Sequence, residues 1–196
     1  TADDGLGTDY TFGRWVQDGV NQTEGQANLN FTLAAPTTLV AQYDIVQHTL
    51  DVQSTPLAGV LIGGTPSGTT DYQAPVNDNS AVSLDAPATA SSGLSDFTFV
   101  RWTLNGVNQP DAQTNLAFTM DAARTAVAVY TPVQRQLTVN STPVTGAVIT
   151  GTPGGTTNFV ASVDDNSTVT LTAAANVADG QTDYVFVNWQ IDGVDQ

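Results

Sequence analysis

The sequence predicts an all-β chain built from tandem β-sandwich modules. Three observations carry the prediction: a gapless internal repeat, short alternating apolar runs closed by Gly, Pro, Asn and Asp, and no segment with the spacing of an amphipathic helix. The repeat comes first, because it sets the frame for everything else. Trp15, Trp102 and Trp189 stand 87 residues apart, inside the similar segments DYTFGRW (9–15), DFTFVRW (96–102) and DYVFVNW (183–189). QHTLDVQSTP (47–56) returns as QRQLTVNSTP (134–143) at the same offset. Gly64-Thr65-Pro66 returns as Gly151-Thr152-Pro153, and Gly68-Thr69-Thr70 as Gly155-Thr156-Thr157. No insertion or deletion interrupts the register.

The 196 residues therefore divide into three pieces. Residues 1–46 are the C-terminal part of a repeat, and 47–133 are a complete one. Residues 134–196 are the N-terminal part of a third repeat plus a second copy of its aromatic strand. The sequence opens and closes in mid-repeat, with no initiating Met or signal peptide, as a window within a longer array does.

Within the complete repeat, residues 49–54 alternate, with Leu50 and Val52 on one face, until Pro56 breaks the strand. GVLIG (59–63) is a short apolar strand stopped by Gly-Thr-Pro-Ser-Gly. Residues 69–76 form a polar strand with Tyr72 and Ala74, and Asn77-Asp78-Asn79 turns the chain. Residues 81–86 alternate through Val82 and Leu84. After a loose Ala/Ser/Gly stretch, 97–104 is the strongest strand, with β-formers at most positions. Asn105-Gly106 then signals a type I′ hairpin, and Asp18-Gly19 and Asp192-Gly193 place the same chemistry in the other copies. Leu116, Phe118 and Met120 share a face of 115–120, and 125–130 ends the repeat.

About seven short strands in 87 residues suit a small sandwich of Greek-key, immunoglobulin-like or transthyretin-like type. The predicted core is Val52, Ile62, Tyr72, Leu84, Phe99, Trp102, Leu116, Phe118 and Tyr130. Neither flanking piece is a whole sandwich in this frame. Either the module is permuted and begins at the aromatic strand, or the two broken ends complete each other between chains by strand addition. In both cases apolar runs such as 29–33 and unpaired edges stay open, which favours head-to-tail association with copies of itself.

Charge narrows the functions. There are 19 acidic residues against 4 basic ones, Arg14, Arg101, Arg124 and Arg135, for a net charge of −15 and no Lys at all. Such a surface repels phosphate backbones, which excludes nucleic acid, and no apolar run has the length for membrane insertion. The absence of Cys removes thiol nucleophiles, disulfides and thiolate metal sites. The absence of Lys removes Schiff bases, P-loops and Lys–Asn isopeptide crosslinks. His48, the single His, makes no catalytic set with Ser54 and Asp51, since its sister position is Arg135 and one strand offers no triad geometry. No enzyme activity and no organic cofactor are expected.

Three kinds of candidate site remain. Asn77 and Asp78 recur as Asp164 and Asp165, hard oxygen ligands on a tight turn that suit calcium in a chain short of counterions. The bland alternative is that Asx residues sit there to bond their own backbone. High acidity without Lys also suits a high-salt setting. Trp15, Trp102 and Trp189 are candidate glycan-stacking residues. They alternate out of phase with Phe12, Phe99 and Phe186, so a regular strand turns Trp outward, whereas a bulge or a sandwich edge buries both rings. Asn21, Asn30, Asn140 and Asn166 lie in N-x-S/T glycosylation sequons, at the number chance supplies.

The motifs resemble two groups of microbial surface repeats. The run 50–56, with Val52, Ser54 and Pro56, then Gly59-Val60 to Gly68-Thr69-Thr70, resembles the PEGA-type extracellular domain. Val82-Ser83-Leu84-Asp85-Ala86-Pro87, then 97–102, Asn105-Gly106 and 125–130, resembles divergent internalin-type B-repeats. Asp9, Asp96 and Asp183 replace the Gly that precedes the aromatic strand in those repeats, and the period here is longer. The resemblance implies extracellular, tandem, non-enzymatic spacer or adhesive modules at the cell surface. The expectation is a structural repeat of a filament, stalk or sheath assembled head to tail. The alternative is an adhesin array that binds surface glycans or a protein partner.

Overall fold

The structure, a computed structural model, describes residues 2–196 and is all-β among them. The first piece holds β1 (Ala2–Asp3), β2 (Asp9–Gln17), β3 (Val20–Asn21) and β4 (Leu39–Ile45). The complete repeat holds β5 (Gln47–Thr55), β6 (Leu61–Thr65), β7 (Gly68–Thr69), β8 (Tyr72–Asn77), β9 (Ser80–Asp85), β10 (Thr89–Ser92), β11 (Ser95–Leu104), β12 (Val107–Asn108), β13 (Asn115–Met120) and β14 (Arg124–Pro132). The last piece holds β15 (Gln134–Val139), β16 (Val148–Thr152), β17 (Gly155–Thr156), β18 (Phe159–Asp164), β19 (Thr170–Ala173), β20 (Asn176–Asp179), β21 (Thr182–Val185), β22 (Gln190–Ile191) and β23 (Val194–Asp195). Two compact units result: unit 1 covers residues up to Ala90 with Phe99–Thr131, and unit 2 covers Ser91–Thr98 with Pro132–Gln196.

In the complete repeat, one sheet runs β10-β11-β14-β5-β8, with β12 on β11, and a second runs β13-β9-β6-β7. The alternation read from the sequence sets which side chains the two sheets bury. The first sheet buries Leu50, Val52, Phe99, Trp102, Ala126, Ala128 and Tyr130, and the second buries Ile62, Val82, Leu84, Leu116 and Met120. Phe99 meets Tyr130 edge-on at 5.5 Å and Trp102 at 6.1 Å. The predicted core is corrected at Tyr72 and Phe118, which are only half-buried. Tyr72 lies near the sheet edge instead, where its hydroxyl donates to Pro66 O at 2.9 Å and its ring lies over Gly68. A Cβ on Gly68 would come within 2.9 Å of that ring, which is why the position takes Gly.

The strand count exceeds the predicted seven because two-residue ladders such as β7 and β12 form at the turns. All three type I′ hairpins are present. Asp18 and Gly19, Asn105 and Gly106, and Asp192 and Gly193 all have positive φ, between 49° and 81°. The first and last strands of the complete repeat lie side by side in parallel, in register from Arg124↔Leu50 to Val129↔Thr55. One residue, Val46, separates β4 from β5, and Val133 alone separates β14 from β15.

The expected apolar strand at 29–33 does not form. Its counterpart β13 is held by six register pairs to β9, and nothing in 1–46 corresponds to β9. Without a ladder partner the segment stays irregular, with Leu33 69% exposed. In unit 2 the third aromatic segment pairs only with β20 and has no counterpart of β14, and it stays open: Phe186 is 42% exposed, whereas its equivalent Phe99 in the complete repeat is 6% exposed.

Candidate functional site

The acidic turn is the best-built polar site in unit 1. Asn77-Asp78-Asn79 joins β8 to β9, and Asn79 takes the positive φ of 56° that the turn needs and Asn tolerates. This places the Asp78 carboxylate against the preceding repeat. Its Oδ2 accepts from the Asp9 N–H at 2.7 Å, and its Oδ1 pairs with His48 Nε2 at 2.8 Å. The backbone closes a ring: Val46 N–H donates to Asp9 O at 2.9 Å, and Asp78 N–H donates to Val46 O at 2.8 Å. Asn79 Nδ2 adds a bond to Leu6 O at 3.1 Å. Asp78 is 7% exposed, so these are sheltered bonds. The Asp9 N–H, followed by His48, holds the Asp78 carboxyl below the usual carboxylate range.

The same arrangement recurs 87 residues on, within unit 2. The Asp165 carboxylate accepts from the Asp96 N–H at 2.9 Å and from Arg135 Nε at 2.7 Å. Val133 N–H donates to Asp96 O, and Asp165 N–H donates to Val133 O, each at 2.8 Å. Arg135, followed by the Asp96 N–H, lowers the Asp165 pKa, and Asp165 in turn raises that of Arg135. His48 and Arg135 thus hold equivalent places against equivalent carboxylates.

These contacts bear on the residues expected to hold calcium. The carboxylate oxygens of Asp78 and Asp165 already have protein donors. Asn77 accepts from Gln47 Nε2 at 2.9 Å, and Asp164 accepts from Gln134 Nε2. Among the described residues no three His, Cys, Asp or Glu side chains are grouped to hold a metal ion.

Of the two arrangements expected for the Trp residues, the structure has the one in which both rings turn inward in the complete repeat. In the first piece β2 carries a bulge between Phe12 and Arg14, which puts Phe12 and Trp15 in ring contact at 5.8 Å. In the complete repeat Phe99 and Trp102 are both buried, and Trp102 is 0% exposed. Trp102 Nε1 donates to Thr114 O at 2.8 Å, so no face is left for a sugar. Trp15 makes the same bond to Ala27 O at 2.8 Å and is half-buried, as is Trp189. The sequons at Asn21, Asn30, Asn140 and Asn166 are all exposed.

His48 and Ser54 serve separate sites. Ser54 Oγ donates to Leu57 O and pairs with Thr70 Oγ1, both at 2.5 Å, while buried Thr70 Oγ1 accepts from Val60 N–H at 3.0 Å. Ser141 and Thr157 repeat this knot, with Ala147 N–H on Thr157 Oγ1 at 2.9 Å. The S-T-P and G-T-T motifs are therefore buried polar ties.

Fold and site together define an all-β sandwich repeat whose polar motifs hold the chain to itself. Residues 61–134 match the family model described as a divergent InlB B-repeat domain. The match runs from the start of β6 through β14, so the resemblance to internalin-type B-repeats holds over both sheets, with β5 outside it. No curated protein and no solved structure matches the chain.

Proposed function

We propose that this chain is a structural segment of an extracellular array, in which copies of one sandwich stand in tandem at the cell surface as a stalk, filament or sheath. The observation that carries the reading is the repeat itself. An 87-residue period without slippage, in which both the core and the polar ties recur, supports selection for a unit that is joined to its like. The B-repeat match supports a surface setting, and no helix among the described residues is long and apolar enough to cross a membrane. Burial of Trp102 speaks against the glycan-binding alternative. Electron microscopy of the native assembly tests the proposal. The expected result is an axial spacing on the order of 30–45 Å, one small sandwich per step. Dispersed particles with no axial repeat would overturn it.

A further inference from the structure

We infer that the acidic turn Asn77-Asp78-Asn79 of the complete repeat is a clasp for the first piece, making the one-residue connection at Val46 a fixed joint rather than a hinge. A single residue such as Val46 could serve as a swivel if only its own backbone restrained it. Here it is the middle member of a closed ring of three bonds running Asp78 to Asp9 to Val46 and back to Asp78. Two of the three residues belong to the first piece, and Asp78 belongs to the complete repeat. The partner is therefore defined: the opening residue of the aromatic strand in the preceding copy.

Three features separate a clasp from an ordinary Asx turn. An Asx turn bonds residues two or three positions away, whereas Asp78 reaches back 69 residues to Asp9. The same reach of 69 residues joins Asp165 to Asp96. Each of these carboxylates also meets a ring or guanidinium nitrogen, from His48 or Arg135, in a chain with only 4 Arg and 1 His. Asp9 and Asp96 enter the ring through backbone N–H and C=O groups, and the Asp96 carboxylate adds a 3.8 Å contact to Arg135. The inference deepens the structural reading but concerns stiffness alone. Its failure would leave the imaging test of the array untouched.

Hydrogen exchange and residual dipolar couplings on the 196-residue chain test it. In the unaltered chain the amides of Asp9, Val46 and Asp78 are protected, and couplings from 9–45 and from 47–90 with 99–131 fit one alignment tensor. Asp78→Ala is expected to speed exchange at Asp9 and Val46 by about tenfold or more, with the Leu84 and Ala126 amides unchanged. The two segments should then need separate tensors. Asp78→Asn keeps an acceptor oxygen and the turn chemistry, so it should give a smaller loss at the same amides. Two tensors in the unaltered chain, one tensor in Asp78→Ala, or exchange rising equally at Leu84 would each overturn the clasp.

Discussion

Truncating Trp102 separates a structural from a ligand-binding role for the aromatic strand. Its ring is 0% exposed, and aromatic side chains of this size bury about 150–250 Å². At about 25 cal/mol per Å² that burial is worth roughly 4–6 kcal/mol, an upper value because the unfolded chain is itself partly collapsed. Measured truncations of buried Trp cost about 3–5 kcal/mol, and Trp102→Ala belongs in that range. The indole hydrogen bond is the smaller part. Thr114 O also accepts from Ala86 N–H at 3.0 Å, so Trp102→Phe does not orphan it. That variant should cost about 1–2 kcal/mol, mostly from the cavity left by the smaller ring. The assay is urea unfolding followed on resolved amide peaks of the complete repeat, such as Leu84, because a two-unit chain has no single unfolding free energy. Trp15→Ala, at a half-buried position of the first piece, is the control and should shift that transition far less. A Trp102→Ala cost below about 1 kcal/mol, or an equal effect from Trp15→Ala, would refute the reasoning.

Thr70→Val keeps the shape but removes the acceptor of the buried Val60 N–H, so thermal unfolding should report a loss of about 1–3 kcal/mol, and Thr70→Ser should recover part of it. Asp78 and Asp165 have folded pKa values below the ordinary 3.8, so their stabilisation is fully present above that value and is lost as pH falls below it. Protection of the Asp9 and Asp96 amides should therefore hold at neutral pH and decay on acidification below about pH 4. Protection that persists unchanged to pH 2 would contradict the carboxylate's role. Calcium should leave the melting temperature unchanged relative to EDTA, since the turn carboxylates are already engaged. A saturable rise that disappears in Asp165→Ala would restore the metal reading.

Much of the sandwich was legible because its strands alternate cleanly. Val82 and Leu84 in β9, and Leu116 and Met120 in β13, are buried in the phase the sequence shows. Alternation failed at the aromatic strand, where a bulge at Gly13 shifts the phase by one residue and brings Phe12 and Trp15 together. Ala126 and Ala128 were missed because small residues look neutral in a pattern read for bulk, yet both are fully buried in β14. The expected strand at 29–33 shows that a β pattern without a ladder partner is only half a strand.

The site was harder to read, because hydrogen bonds across 69 residues leave no local spacing. A signal was nonetheless present. Asp9 and Asp96, Asp78 and Asp165, and His48 and Arg135 hold equivalent positions in a chain where basic residues are scarce. A residue with a basic nitrogen at the same place in both copies, one strand away from an acidic turn, is the signal that the two side chains meet.

The parallel neighbours β5 and β14 have a mechanical meaning. Tension on a string of such units enters each one at Gln47 and leaves it at Pro132, along two adjacent strands that run the same way. Pulling slides these strands past each other, so the bonds across six facing residue pairs must yield together rather than unzip in turn. In an array of such units the load would cross this shear patch in every one, so each patch would bear the full tension.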